Sequence, residues 1–283
     1  MTLNEHQSRR SFLKVVGMGA AASLALPGFT AETKWKMRLA TSSIQFKNLT
    51  LEETCQQISK LGFEAIDIWD HFEGCLHLEQ AEKLGSVGLK ALLAKHNLKL
   101  SAFTVYKDGY ERYAELLGNV GGGVAVRGSE YVEFTQERMK SFVEKLKPLV
   151  ELAEKHNSYL AIENHASALL NTPDSFKAFM DLNTSPRVGI ALAPYHLQAI
   201  NASVPDVIRT CGKKLFFFYA WQKAKGFGQF PGEGTTDFKP WLTALEEIRY
   251  ERYVNPFMHG QPETEKMVAG LTKAGDYLKK LMN

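Results

Sequence analysis

The chain has 283 residues, 45% hydrophobic and 23% charged, with 34 basic against 31 acidic side chains. Such a composition supports a sizeable packed core and excludes wholesale disorder, and a net charge of +3 is too small to suggest a nucleic-acid-binding surface. Three cysteines, Cys55, Cys75 and Cys211, exclude a disulfide scaffold and a C-x-x-C zinc site, and no apolar run of eighteen or more residues predicts a membrane span in the mature protein. At the N-terminus, Ser8-Arg9-Arg10-Ser11-Phe12-Leu13-Lys14 precedes a mildly apolar, Gly- and Ala-rich run from Val15 to Leu26. This is the layout of a twin-arginine signal peptide over residues 1–31, a basic amphipathic helix being the alternative. Cleavage after Ala25 or Ala31 fits, and losing residues 1–31 leaves a charge of +1. The expected destination is the periplasm, reached as an already folded chain.

From Met37 onward, short apolar runs alternate with longer segments of helical period, the pattern of successive βα units. Residues 37–46 read as a strand and 50–61 as its helix, with Thr50 and Glu53 in capping-box spacing. Strand 64–70 leads to helix 78–95, strand 98–106 to helix 110–117, and strand 123–127 to a long amphipathic helix over 135–155. Strand 158–164 precedes helix 174–182, strand 187–196 precedes helix 205–210, and strand 214–222 precedes helix 237–248. Strand 253–258 and helix 263–281 close the chain. Lys95-His96-Asn97 and Lys155-His156-Asn157 end two of these helices alike, each Asn able to take a left-handed cap, so both histidines read as structural.

Eight such units close most economically into a (β/α)8 TIM barrel spanning residues 37–283. A doubly wound open sheet is the alternative, but neither G-x-G-x-x-G nor a Walker sequence occurs. Barrels carry their chemistry at the C-terminal ends of the strands. Those positions here are Gln45, Trp69, Asp70, His71, Tyr106, Lys107, Arg127, Glu163, His165, Tyr195, His196, Tyr219, Trp221, Gln222, Phe257 and His259. Rings interspersed with polar groups suit a sugar, whose C–H faces stack while its hydroxyls take hydrogen bonds; rings that merely close the barrel top are the alternative. Arg127 either holds a carboxylate or phosphate or forms a surface ion pair. Gly121-Gly122-Gly123 reads as a flexible connection, and Pro231 to Phe238 as a turn in which Thr236 or Asp237 caps the next helix.

The segments Leu61-Gly62-Phe63-Glu64-Ala65-Ile66-Asp67-Ile68-Trp69, Leu160-Ala161-Ile162-Glu163-Asn164-His165, Val188-Gly189-Ile190-Ala191-Leu192-Ala193-Pro194-Tyr195-His196 and Pro231-Gly232-Glu233-Gly234-Thr235-Thr236-Asp237-Phe238 resemble the sugar phosphate isomerase/epimerase family, the xylose-isomerase-like TIM barrels. The resemblance runs through nearly all of the chain after residue 31. It implies a divalent metal held by a Glu ending strand five, an Asp ending strand six, a His on strand seven and a Glu ending strand eight. Glu163 matches the first, whereas Ala193, Tyr219 and Phe257 fall at the other three. Ala and Phe offer no electron pair to a cation, so the inherited metal site is expected to be broken. A displaced site at Glu163, His165, His196 and His259, suited to zinc, manganese or iron, is the remaining metal option. It draws on the strand period, which would set His165 about 6.6 Å above Glu163 on one face.

The resemblance thus implies an exported sugar isomerase/epimerase-like protein acting on a free sugar or keto-sugar derivative by proton transfer next to a carbonyl. Glu163 or His196 is the expected base, and His165 or His259 the acid. Trp69, Tyr195 and Trp221 would stack on the substrate, with Arg127 and His259 as further contacts. A catalytically silent carbohydrate-binding barrel is the rival. An apurinic endonuclease is disfavoured by the near-neutral charge and the export signal. The partner expected is a small-molecule carbohydrate and no nucleic acid, and no oligomeric state is indicated.

Overall fold

The computed structural model describes residues 34–106, 109–121 and 123–282. The signal-peptide reading of residues 1–31 therefore falls outside the described residues, as does Lys107.

The strands are short and parallel: β1 Ala40–Ser42, β2 Ala65–Trp69, β3 Lys99–Thr104, β4 Val124–Gly128, β5 Tyr159–Glu163, β6 Val188–Leu192, β7 Leu215–Ala220 and β8 Val254–Pro256. Each pairs with the next in chain order. A parallel bridge from Leu39 to Val254, with the Val254 N–H donating to the Arg38 carbonyl at 2.9 Å, joins the last strand to the first. That closure makes an eight-stranded barrel and settles the choice between barrel and open sheet. The helices are α1 Leu51–Lys60, α2 His77–Lys95, α3 Tyr110–Gly121, α4 Gln136–Lys145, α5 Lys147–Lys155, α6 Pro173–Leu182, α7 Pro194–Ala199, α8 Val204–Cys211, α9 Lys239–Glu247 and α10 Thr264–Met282.

Local chemistry accounts for most boundaries. Thr50 and Glu53 form the expected reciprocal capping box on α1. Asn97 and Asn157 sit at φ 52° and 49°, the left-handed conformation expected of them after α2 and α5. Among the described residues no helix is long and apolar enough to cross a membrane.

Three expectations need correction. The predicted strand 37–46 is a strand only at its centre; Ser43–Phe46 coil into a 3₁₀ turn, where the Ser43 hydroxyl accepts the Trp69 N–H at 3.0 Å. The predicted helix 135–155 is two helices that meet at Leu146, because Pro148 has no N–H for the Glu144 carbonyl and its ring crowds that turn. Strand six ends at Leu192 rather than at 196, since Pro194 cannot donate to the ladder and instead opens α7, which carries Tyr195 and His196. The expected cap before α9 is formed by Asp237, whose Oδ1 accepts the N–H of Lys239, the first residue of the helix, at 2.9 Å.

The core has two layers. One apolar layer lies between barrel and helices, with Ile66, Ile68, Leu160, Ile162 and Ile190 facing outward onto it. A second fills the barrel, where Ala102, Ala161 and Ala191 make room for Trp69, Phe217, Tyr219 and Phe257. Alternation along β2 thus sends Asp67 and Trp69 inward, and along β5 it sends Ala161 and Glu163 inward.

Candidate active site

A cavity of about 590 Å³ opens at the C-terminal mouth of the barrel. Of the strand-end residues singled out from sequence, Trp69, Tyr106, Arg127, Glu163, His165, His196, Tyr219, Trp221, Phe257 and His259 line it. The fold therefore brings together residues from the ends of seven strands, β2 to β8, that lie far apart in the chain.

Glu163, the last residue of β5, is buried on the floor. The Tyr106 hydroxyl donates to its carboxylate. Burial pushes the Glu163 carboxyl well above the usual carboxylate range, the charge of Asp67 adds to this, and the Tyr219 hydroxyl opposes it. Beneath it Asp67 accepts three hydrogen bonds, from Ser42 Oγ at 2.7 Å, Trp69 Nε1 at 2.6 Å and Thr104 Oγ1 at 2.9 Å. Burial nevertheless outweighs all three donors and pushes its pKa up to about 7. The next residue, Asn164, locks the β5 end to the β6 end: its Nδ2 donates to the Ala193 carbonyl at 3.1 Å and its Oδ1 accepts the Ala193 N–H at 2.7 Å.

His196 lies across the floor from the carboxylate, brought there by the first turn of α7. Burial, and then the charges of His165 and His259, push its pKa down to about 3, so its ring is neutral at any physiological pH. Both ring nitrogens are buried without a hydrogen-bond partner. Unmet buried donors and acceptors are costly, and a cavity beside them is where a ligand would supply the missing partners.

The walls are interlocked rings. His165 packs on His196 at 4.2 Å between centroids, His196 on Trp221 at 5.3 Å, and Trp221 on His259 at 4.9 Å. On the far side Trp69 stacks on Phe257 at 5.5 Å and an interplanar angle of 15°. Tyr195 is not among the lining residues; it stacks behind Trp221 at 4.4 Å and 15°, because the turn of α7 points it away from the cavity that a strand would have let it face. His165 and His259 lie beyond the ends of β5 and β8, in loops, so the strand period does not set their height above Glu163 and Phe257. Arg127 lines the cavity, and among the described residues it makes no side-chain hydrogen bond or ion pair. Gln45 binds the Met258 carbonyl, His71 pairs with Glu79 at 3.0 Å, and Gln222 binds the Phe230 carbonyl and Thr236 N–H; these three support the rim rather than face the cavity.

The metal implied by the sequence resemblance can be tested against the side chains present. Ala193 and Phe257 have no donor atom, Glu163 is engaged by a tyrosine, and among the described residues no three His, Cys, Asp or Glu side chains are grouped to hold a metal ion. Neither the inherited quartet nor the displaced set of Glu163, His165, His196 and His259 is assembled, because Trp221 stands between His196 and His259. The donor set does not fit a metal.

Sequence reasoning missed Phe72, Glu111, Ser129 and Tyr131 on the rim, all in loops or helix starts, and it missed Asp67. An acid in the otherwise apolar strand Ala65-Ile66-Asp67-Ile68-Trp69, in phase with Trp69, was the available signal for the last.

A closed (β/α)8 barrel with a ring-walled cavity over a buried carboxyl is the architecture of a small-molecule enzyme or binding protein. Residues 55–280 match the Xylose isomerase-like TIM barrel family, and the chain belongs to it. Inosose isomerase of Bacillus subtilis (strain 168) is 26% identical over 144 residues, which is 47% of this chain and 51% of that protein. The chain thus spans about half the length of the curated relatives it matches. Among solved structures, 3-keto-D-glucoside 4-epimerase from E. coli superposes with a TM-score of 0.71 at 18% identity, covering 87% of this chain and 100% of that one. The IOLI protein, solved with a bound zinc atom, gives 0.68 at 20% identity, covering 87% and 98%. These likenesses establish the fold.

Proposed function

We propose that this protein is an exported, sugar isomerase/epimerase-like barrel that binds a free sugar or keto-sugar and moves a proton next to its carbonyl without the family's metal. The observation that carries the reading is the floor of the cavity, where both nitrogens of His196, buried without a hydrogen-bond partner, lie with the Glu163 carboxyl and the Tyr219 hydroxyl in a ring-walled space. An uncharged floor of this kind suits a polyol better than a phosphate. Burial pushes the Glu163 carboxyl towards its protonated form, and a carboxyl shifted in that direction is suited to giving a proton to the substrate and, once ionised, to taking one back. Neutral His196 is placed to hold a hydroxyl or carbonyl beside it. Trp69 and Trp221 provide faces for the sugar's C–H groups. With no second acid facing the cavity from β8, opposed two-base epimerisation gives way to single-base exchange, which fits isomerisation or elimination. The N-terminal Arg9-Arg10 segment supports export, and export favours an unphosphorylated substrate.

The test is to titrate keto-sugars into the purified mature chain and to follow solvent deuterium exchange at the carbon next to the carbonyl by NMR, with and without a chelator. Binding with exchange that survives chelation and disappears in Glu163→Gln is the expected result. Exchange abolished by the chelator would refute the loss of the metal. Binding without exchange would make the protein a silent carbohydrate-binding barrel, and absence of binding would refute the carbohydrate reading. Export is tested by fusing residues 1–31 to a reporter: periplasmic delivery that is lost when Arg9 and Arg10 become Lys is expected.

A further inference from the structure

The opposite mouth of the barrel, at the N-terminal ends of the strands, gathers guanidinium groups that the carbohydrate pocket does not use. Arg38 precedes β1, Arg187 precedes β6 and Arg252 precedes β8, all half-buried. Arg252 lies 4.7 Å from the ring centre of Tyr159 and 4.9 Å from that of Phe216. Arg187 lies 4.8 Å from the same Tyr159 ring, and Arg38 sits 4.6 Å over Tyr253. Two cations therefore share one aromatic ring.

Each guanidinium carries five N–H donors. Arg187 uses one on Asn157 Oδ1 at 3.0 Å. Among the described residues, Arg38 and Arg252 make no side-chain hydrogen bond and no ion pair. Glu251, held by Lys213 Nζ at 3.0 Å, favours the charged form of Arg252 from a distance without a hydrogen bond to it. Aromatic faces attract a cation but accept none of its directional hydrogen bonds, so the guanidinium donors remain open to solvent or to an anion. Burial disfavours the charged form of Arg252, and the positive charge of Arg38 adds to that.

Beside Arg252 is a cavity of about 160 Å³, lined also by Lys213, Arg249, Tyr159, Tyr250 and the carboxylate of Glu251, which Lys213 pairs with at 3.0 Å. At about 30 Å³ per water it has room for roughly five waters, or one tetrahedral oxyanion with part of its hydration shell. We propose that this cavity is a binding site for a small oxyanion, held by the Arg252 guanidinium and drawn in by the fields of Arg38 and Arg187. Planar guanidinium donors match the paired oxygens of phosphate, sulfate or carboxylate, and the anion would meet both the open donors and the clustered charge. The site lies at the end of the barrel remote from the carbohydrate pocket, on the face where TIM barrels keep stability determinants, so its occupant acts as a clamp on β5, β7 and β8.

The experiment is thermal unfolding of the full chain in phosphate, sulfate and acetate series, each replacing chloride at constant ionic strength. In wild type the midpoint should climb and saturate with phosphate. In Arg252→Gln only the non-saturating rise that excluded salts give any protein should remain. Saturation by acetate as well would extend the site to carboxylates. An identical phosphate dependence in both proteins overturns the proposal. If Arg252→Gln does not fold, calorimetric titration of phosphate into wild type decides: heats of a single saturable site support the proposal, and none overturns it.

Discussion

Asp67 makes the stability of the barrel depend on pH in a direction opposite to that of ordinary surface carboxylates. Its pKa rises from an ordinary 3.8 to about 7 on folding, so between those values the unfolded chain gives up a proton that the native chain keeps. Stability from this group is full below about pH 4, falls as pH rises, and is gone above about pH 7. A shift of about three pH units corresponds to about 4 kcal/mol, lost at about 1.4 kcal/mol per pH unit. Asp67→Asn removes the titration. It also presents an amide to three donors that expect an acceptor, at a cost of about 1–3 kcal/mol. Urea denaturation of both proteins at half-unit steps from pH 4 to pH 8 should therefore show the variant trailing by about 1–3 kcal/mol in acid and overtaking wild type before pH 7, because wild type alone loses the Asp67 contribution of about 4 kcal/mol over that range. Glu163, shifted in the same direction, keeps part of the slope in both proteins. Parallel pH profiles for wild type and variant would refute the reasoning.

Because His196 stays neutral down to about pH 3, its own imidazole resonances followed by NMR should remain those of a neutral ring from pH 5 to pH 8; a titration of those resonances near the ordinary histidine pKa would refute its burial. Gly118→Ala would set a Cβ 1.6 Å from the His156 carbonyl oxygen, and a loss of about 3 kcal/mol or more in urea unfolding is expected, since backbone at that contact cannot yield cheaply. Thr50→Ala removes half of the capping box on α1 and should cost about 1 kcal/mol by the same assay, with no effect on ligand affinity, because the cap lies outside the cavity.

The barrel was legible because its signals are local. Thr50 and Glu53 mark a helix start by spacing alone, and Asn97 and Asn157 mark helix ends by a conformation that few residues accept. The ring-rich mouth followed, since every strand end had to point there. What escaped is what depends on partners distant in sequence. An apolar run ending in Ala193-Pro194-Tyr195-His196 reads as one strand until the proline is weighed as a helix opener; Tyr195 then turns behind Trp221 while His196 turns into the cavity. Pro148 inside an otherwise amphipathic stretch is the same lesson, a residue whose missing N–H outranks the periodicity around it. Asp67 was passed over because its three donors come from β1, β2 and β3, and only closure of the sheet reveals that its environment is dry. Residues such as Tyr131 and Ser129 reach the rim from a loop, where no period says which way a side chain points.

The chain of rings from His165 through His196, Trp221 and Phe257 to Trp69 crosses the mouth without a break, each plane wedged by its neighbours at 4.2–5.5 Å. A guest entering between them finds a mould already set, so little of its binding energy is diverted to freezing side chains, and discrimination among ligands rests on which shapes the rigid outline tolerates. Changing the clientele of such a barrel would call for recutting several rings together, since trimming one loosens its neighbours as well.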